Sequence, residues 1–151
     1  MISIRMIREK GADPAVPLPS YETAGSAGAD VRANLPDRGS VVLSPGARAL
    51  IPTGLRVEIP AGYEIQVRPR SGLALKHGVT LPNTPGTIDS DYRGPLGIIV
   101  MNAGQDVFEI SHGDRIAQLI VAPVVQATFE IGEALSETDR GSDGFGSTGR
   151  G

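Results

Sequence analysis

The sequence contains no cysteine and no tryptophan, and only three Phe, three Tyr, two His and two Lys in 151 residues. Without cysteine there are no disulfides and no thiolate metal sites. With so few aromatics, the core must be built from Val, Ile, Leu and Ala. Long apolar runs are missing as well. The longest, Leu119–Val125 and Leu96–Met101, fall far short of the roughly 20 residues that cross a bilayer. The first ten residues carry Arg5, Arg8, Glu9 and Lys10 and no apolar segment, which argues against a signal peptide. The expectation is a soluble cytoplasmic protein without membrane contact. A net charge of −3 offers no general attraction for nucleic acid, so any anionic substrate must meet local positive charge. Twelve of the fourteen basic residues are Arg. Source-genome composition accounts for such a bias, and so does a need for guanidinium forks that grip phosphate oxygens in pairs.

What is abundant is glycine, with 20, and proline, with 12, too many for a helical bundle but suited to short strands and tight turns. Leu55–Ile59 and Tyr63–Arg68 alternate apolar and polar residues around the turn signal Pro60-Ala61-Gly62, and read as a hairpin. Further strands are expected at Ser3–Ile7, Asp30–Ala33, Ser40–Leu43, Arg48–Ile51, Val79–Leu81, Gly97–Asn102, Val107–Ile110, Ile116–Val121 and Val124–Ile131. Only Ser71–His77 reads as helix, with Ser71 as its N-cap and Gly78 as its terminator. The fold class is therefore all-β: a jelly-roll-like sandwich or barrel with one short helix. Residues 138–151 hold five Gly and a single aromatic, Phe145. Such a segment buries too little to fold alone. The expected organisation is a β-domain over residues 1–137 and a flexible tail over 138–151.

Four segments carry chemistry. In Arg68-Pro69-Arg70-Ser71-Gly72-Leu73-Ala74, two Arg precede a helix start whose free amides suit a phosphate. An ordinary capped helix with surface arginines would look the same. Asn83–Gly94 suggests a hairpin whose free edge amides and carbonyls can pair with a base, Asn83 adding an amide that donates and accepts. If Ile88–Tyr92 is extended, Asp89 and Asp91 share one face and Tyr92 takes the other. Periodicity does not choose between the two Asp. In Gly113–Ile120, Gln118 interrupts an apolar run and needs a partner in the backbone or a ligand. The tail segment Arg140–Gly149 combines glycine-freed amides, hydroxyls and one Arg, as a phosphate-cradling loop does, without the Gly-Lys-Ser/Thr ending of the Walker type. His77 and His112 stand alone and read as surface turn residues, and no His/Asp/Glu cluster forms a protein-built metal cage.

Together with Ser26–Ala33, these segments resemble the five ordered motifs of the trimeric deoxyuridine triphosphatase (dUTPase) family, over about a third of the chain. The resemblance implies a jelly-roll subunit and a homotrimer whose active sites lie between subunits, each closed by a neighbour's tail. The implied reaction is hydrolysis of dUTP to dUMP and pyrophosphate with Mg²⁺. Asp89 matches the catalytic Asp that activates water. Asn83, with Thr87 and Ile88, matches the uracil-binding segment, and Tyr92 the ring that packs on deoxyribose. Arg70, Ser71, Gly72 and Gln118 match phosphate contacts. Asp30 matches the acid near the metal's water shell, with no protein side chain bound to the metal directly. Arg140, Phe145, Gly146, Ser147 and Thr148 match the closing tail, in which Phe stacks on uracil. Asp143 stands where the family usually has Gly. Two other readings share the pattern. A dCTP deaminase of the same fold would not need the Gly-rich tail. A non-catalytic nucleotide-binding trimeric jelly roll would need neither Asp89 nor the tail.

Overall fold

The computed structural model describes residues 2–149, so Met1, Arg150 and Gly151, at the outer ends of the two expected units, lie outside it. Ten strands and one helix follow in order: β1 (Arg5–Arg8), β2 (Ala29–Arg32), β3 (Ser40–Leu43), β4 (Arg48–Glu58), β5 (Tyr63–Arg68), α1 (Ser71–His77), β6 (Val79–Thr80), β7 (Gly86–Ile88), β8 (Pro95–Asn102), β9 (Phe108–Ser111) and β10 (Arg115–Pro123). A short 3₁₀ turn spans Pro36–Arg38. One sheet runs β1-β4-β8-β6, a second β2-β10-β5-β7, and β3 pairs with β9. All pairings are antiparallel. The sheets form the expected jelly-roll sandwich, and they do not close into a barrel.

The core lies between the sheets, and alternation explains it. Ile51, Leu55, Val57, Ile98 and Val100 come from one sheet, Val31, Ile65, Val67, Ala117 and Leu119 from the other, and all are buried. The fully buried Asn102 spends its side chain on backbone, its Nδ2 donating to the carbonyls of Leu43 (2.9 Å) and Asp106 (2.8 Å) and its Oδ1 accepting from Gly104 N (2.9 Å). Among the described residues no buried side-chain nitrogen or oxygen lacks a partner, as a stable β core requires. No helix among them is long and apolar enough to cross a membrane.

The structure corrects several expectations. β4 is one strand of eleven residues, because Pro52, which has no N–H, falls where the register with β8 shifts. The expected hairpin at Pro60-Ala61-Gly62 is a corner. β4 pairs with β1 and β8, whereas β5 pairs with β10 and β7, so the turn carries the chain from one sheet to the other. Alternation is the same for a hairpin and for a sheet-crossing corner, since both bury one face. Val124–Ile131 forms no strand, and Val125 (93% exposed) and Phe129 (96%) pack on nothing. Ser71 is the first helical residue, and Arg70 occupies the N-cap without a side-chain cap bond. Gly78 terminates the helix as expected, in the left-handed region at φ 67°.

His112 is not a surface turn residue. Its ring is largely buried and holds three segments together. Nδ1 accepts from Leu35 N (3.0 Å), and Nε2 faces Asp13 Oδ2 (3.1 Å). Asp13 also accepts from Ala15 N (2.9 Å) and pairs with Arg38 (2.7 Å). The Ala15 amide first, then Arg38 and His112, hold its carboxyl below the ordinary carboxylate range against the opposing effect of desolvation. A depressed folded pKa stabilises the fold above the unfolded value of about 3.9 and loses that contribution as pH falls through the lower folded value. Asp13→Asn is therefore expected to lower the melting temperature near neutral pH. In a pH series of melting curves, wild type and variant should draw together as pH falls from about 3.9 through the lower folded value. A difference that grows toward acid would contradict this.

Candidate active site

The face of the second sheet turned away from the core positions the first group of expected residues. On β2 and β10, Asp30 and Gln118 are register partners, and Gln118 is in turn partnered by Arg68 on β5. The chain leaves β5 through Pro69 into Arg70 and the start of α1. This brings Asp30, Arg70, Ser71, Gly72 and Gln118 around one cavity of about 300 Å³, with Ser26 and Gly28 on its rim. Gly28 is required by close approach. A Cβ there would lie 2.6 Å from Gln118 Oε1. Gln118 Nε2 donates to the Pro69 carbonyl (3.1 Å), which leaves its second N–H to donate.

Asp30 is the electrostatic centre of the group. Its side chain is only 10% exposed, and Arg70 Nε sits 3.3 Å from Oδ1 while Arg115 Nη1 sits 3.0 Å from Oδ2. Arg115 also faces Glu22 (3.3 Å), and its carbonyl accepts from Arg70 Nη1 (3.3 Å). The sequence reading takes Gln118 from this segment and misses Arg115. Period-two counting puts Arg115 on the core face with Ala117 and Leu119, but a bulge between Arg115 and Ala117 turns it outward. A bulge leaves little trace in composition.

The second group is elsewhere. Thr87 and Asp89 line a separate cavity of about 670 Å³, beside Glu64, Ser90 and Asp91. The Asn83–Gly94 segment is not a hairpin, because β7 pairs with β5 whereas β8, beginning at Pro95, pairs with β4. β7 is nevertheless the edge of its sheet, so its outer amides and carbonyls are free for a ligand. Ile88 is buried and anchors that edge. Asn83 is exposed, and its Nδ2 would lie 3.2 Å from a Cβ at Gly86. Asp89 and Asp91 do not share a strand face. The chain turns after Ile88, Tyr92 N donating to the Asp89 carbonyl (3.2 Å), and both carboxylates are exposed. The Tyr92 ring lies over Gly94, where any Cβ would collide with it, and its hydroxyl donates to the Pro95 carbonyl (2.9 Å).

The tail forms a third group, away from both cavities. Arg140, Phe145, Gly146, Ser147 and Thr148 are exposed in successive turns, and Arg140 Nε donates to the Asp143 carbonyl (2.8 Å). One chain therefore presents three partial sites. Among the described residues no three His, Cys, Asp or Glu stand close enough to hold a metal by themselves.

The dUTPase family model matches residues 15–149. The deoxyuridine 5'-triphosphate nucleotidohydrolase of Roseobacter denitrificans is 67% identical over 149 residues, covering 99% of this chain and 97% of that protein. That of Dinoroseobacter shibae is 62% identical, covering 99% of each. Among solved structures, the Staphylococcus bacteriophage 80alpha dUTPase with dUPNHPP superposes with a TM-score of 0.85 at 27% identity, over 98% of this chain and 99% of that one. A phage phi11 dUTPase of S. aureus, described with a structural Mg(II) ion, shares the fold at a TM-score of 0.75 and 24% identity, over 89% of this chain and 99% of that one. A family match across nearly the whole chain, with relatives of this identity, shows that the chain belongs to the dUTPase family.

Proposed function

We propose that this chain is a dUTP diphosphatase that hydrolyses dUTP to dUMP and pyrophosphate in the cytoplasm, keeping uracil out of DNA and supplying dUMP for thymidylate synthesis. The observation that carries the reading, beyond family membership, is the cavity of Arg70, Ser71, Gly72 and Gln118 around Asp30, a cluster of donors suited to phosphate oxygens. Uracil pairs with the free edge of β7 and with Asn83. Asp89 is the general base on a water aligned with the α-phosphorus. Arg70, Gln118 and the amides at the start of α1 take up the charge that develops on the phosphates. Cytosine presents a donor where the β7 edge expects an acceptor, and a site built on hydrogen bonds discriminates by about 10⁴–10⁵.

The separation of the three groups within one chain favours a homotrimer in which each site is completed by other subunits. Phe129 and Ile131, spaced by two and fully exposed, fit a segment that acquires a partner only in an assembly. The organisation that follows is a β-domain over residues 1–137 with a mobile tail over 138–151 that closes on a neighbour's site.

The donor set also fits Mg²⁺. Both oxygens of Asp30 are already engaged by guanidinium groups, so Asp30 would hold the ion through water, in keeping with a cation that retains its waters and binds phosphates. When bound, the ion would neutralise phosphate charge and favour pyrophosphate as leaving group.

Pyrophosphate release from dUTP, run beside ammonia release from dCTP, tests the reading. Pyrophosphate from dUTP alone is expected, and ammonia from dCTP would instead identify a deaminase. Tyr92→Ala should relax sugar selectivity, because the ring is assigned the space a 2′-hydroxyl would need. The ratio of UTP to dUTP hydrolysis is expected to rise, and an unchanged ratio would reduce Tyr92 to a structural residue.

A further inference from the structure

Arg70 is a wall between two cavities. It is shared by the cavity of Ser71, Gly72 and Gln118 and by a second cavity of about 320 Å³, lined by Arg32, Arg70 and Arg115 and in part by Leu73 and Phe108. Three arginines line it in a chain whose net charge is −3, and of these Arg70 and Arg115 are also paired with Asp30, and Arg115 with Glu22. Their known bonds leave donors over. Arg70 uses Nε and Nη1, and Arg115 uses Nη1. Arg32 donates from Nη1 to the Gly113 carbonyl (2.8 Å) and, among the described residues, pairs with no carboxylate. The Nη2 of each has no protein partner among them. Asp114 is the one acid in the lining itself, its Oδ2 accepting from Ser111 N (2.8 Å), while Asp30 and Glu22 face Arg70 and Arg115 from the neighbouring cavity.

We propose that this cavity is an accessory oxyanion site that takes inorganic phosphate or pyrophosphate on Arg32, Arg70 and Arg115. Guanidinium forks match tetrahedral oxyanions, and the apolar floor strengthens the attraction by lowering the local dielectric. The volume admits a phosphate or pyrophosphate and excludes a nucleotide held in full. Arg70 belongs to both cavities, so occupancy of one alters affinity at the other, and the coupling is reciprocal. Binding of an anion here rests on the cavity alone. Only its effect on turnover rests on the dUTPase reading.

The test is calorimetric titration of the full-length protein with phosphate and, separately, pyrophosphate at matched ionic strength. Each is run with and without Mg²⁺ and a saturating non-hydrolysable dUTP analogue. Binding of at least one anion is expected to persist with the analogue in place. Arg32→Gln should weaken it by about tenfold or more, the usual cost of losing a hydrogen bond to a charged group, and should leave dUTP turnover without added anion near wild type. Because Arg32→Gln also removes the bond to Gly113, Arg32→Lys serves as the second variant. It keeps the charge without the fork and should bind with intermediate affinity. Displacement of both anions by the analogue would overturn the proposal, as would undiminished binding in Arg32→Gln or, should that variant not fold, in Arg32→Lys. If wild type fails to hydrolyse dUTP, the functional reading falls, and the analogue-free titration still decides this site.

Discussion

Asp89→Asn is expected to lower dUTP turnover by about 10²–10⁴, the usual cost of removing a positioned general base, while leaving nucleotide affinity nearly unchanged. The amide keeps the shape of the carboxylate and cannot take a proton. Asp89 suits the role by position. It is the first residue after β7, whose free edge is assigned to uracil, and it lines an open cavity of about 670 Å³ with its carboxylate in solvent. It lies outside the core, so the substitution should not disturb folding. Single-turnover measurement of pyrophosphate release, beside calorimetric binding of a non-hydrolysable analogue, separates chemistry from affinity. Turnover within a few-fold of wild type would remove Asp89 from the mechanism and leave Asp91, in the same cavity, as the next candidate.

Truncation after Asp139 is expected to leave a folded assembly with almost no activity. Among the described residues the lost segment contributes nothing to the core, and Phe145 is fully exposed, so melting temperature and sedimentation should match wild type. The same segment carries Arg140, Phe145, Ser147 and Thr148. Closure of these over a bound nucleotide would expel water and bring positive charge to the terminal phosphate, which strengthens every electrostatic contact inside. Ordering it costs about 1–2 kcal/mol per residue fixed, so only a full triphosphate should drive closure. From Pro123, the end of β10, to Arg140 is 17 residues, a reach of up to about 60 Å when extended. That is enough to serve a neighbouring subunit. Mixed trimers of truncated chains with full-length Asp89→Asn chains should then regain part of the activity. Full activity after truncation would refute the closing role. Failed rescue in confirmed mixed trimers would refute sharing between subunits.

How far the site could be read from sequence differs from segment to segment. Arg70 and Gln118, which line one cavity, stand out in the sequence because each breaks a local rule: a cation before a helix start, and an amide within an apolar run. Arg115 breaks none, and only the bulge before Ala117 turns it toward Asp30. His112 was misread because a lone His in a turn carries no sign of the distant Asp13 and Leu35 that bury it.

Composition and alternation by themselves determined an all-β chain without disulfides and its one helix, and they give the expectation of a tail too poor in apolar residues to fold alone. These follow from local chemistry: β-branched residues at period two, glycine and proline at turns, and too little apolar surface after residue 137. Strand pairing was decided only in three dimensions. Leu55–Ile59 and Tyr63–Arg68 alternate like a hairpin, yet the chain turns a corner between them, the first strand pairing with β1 and β8 and the second with β10 and β7. The same choice places Asp30 with Arg70 in one cavity and Asp89 in another. Period two tells which face of a strand is buried, and it holds no information about which strand lies alongside.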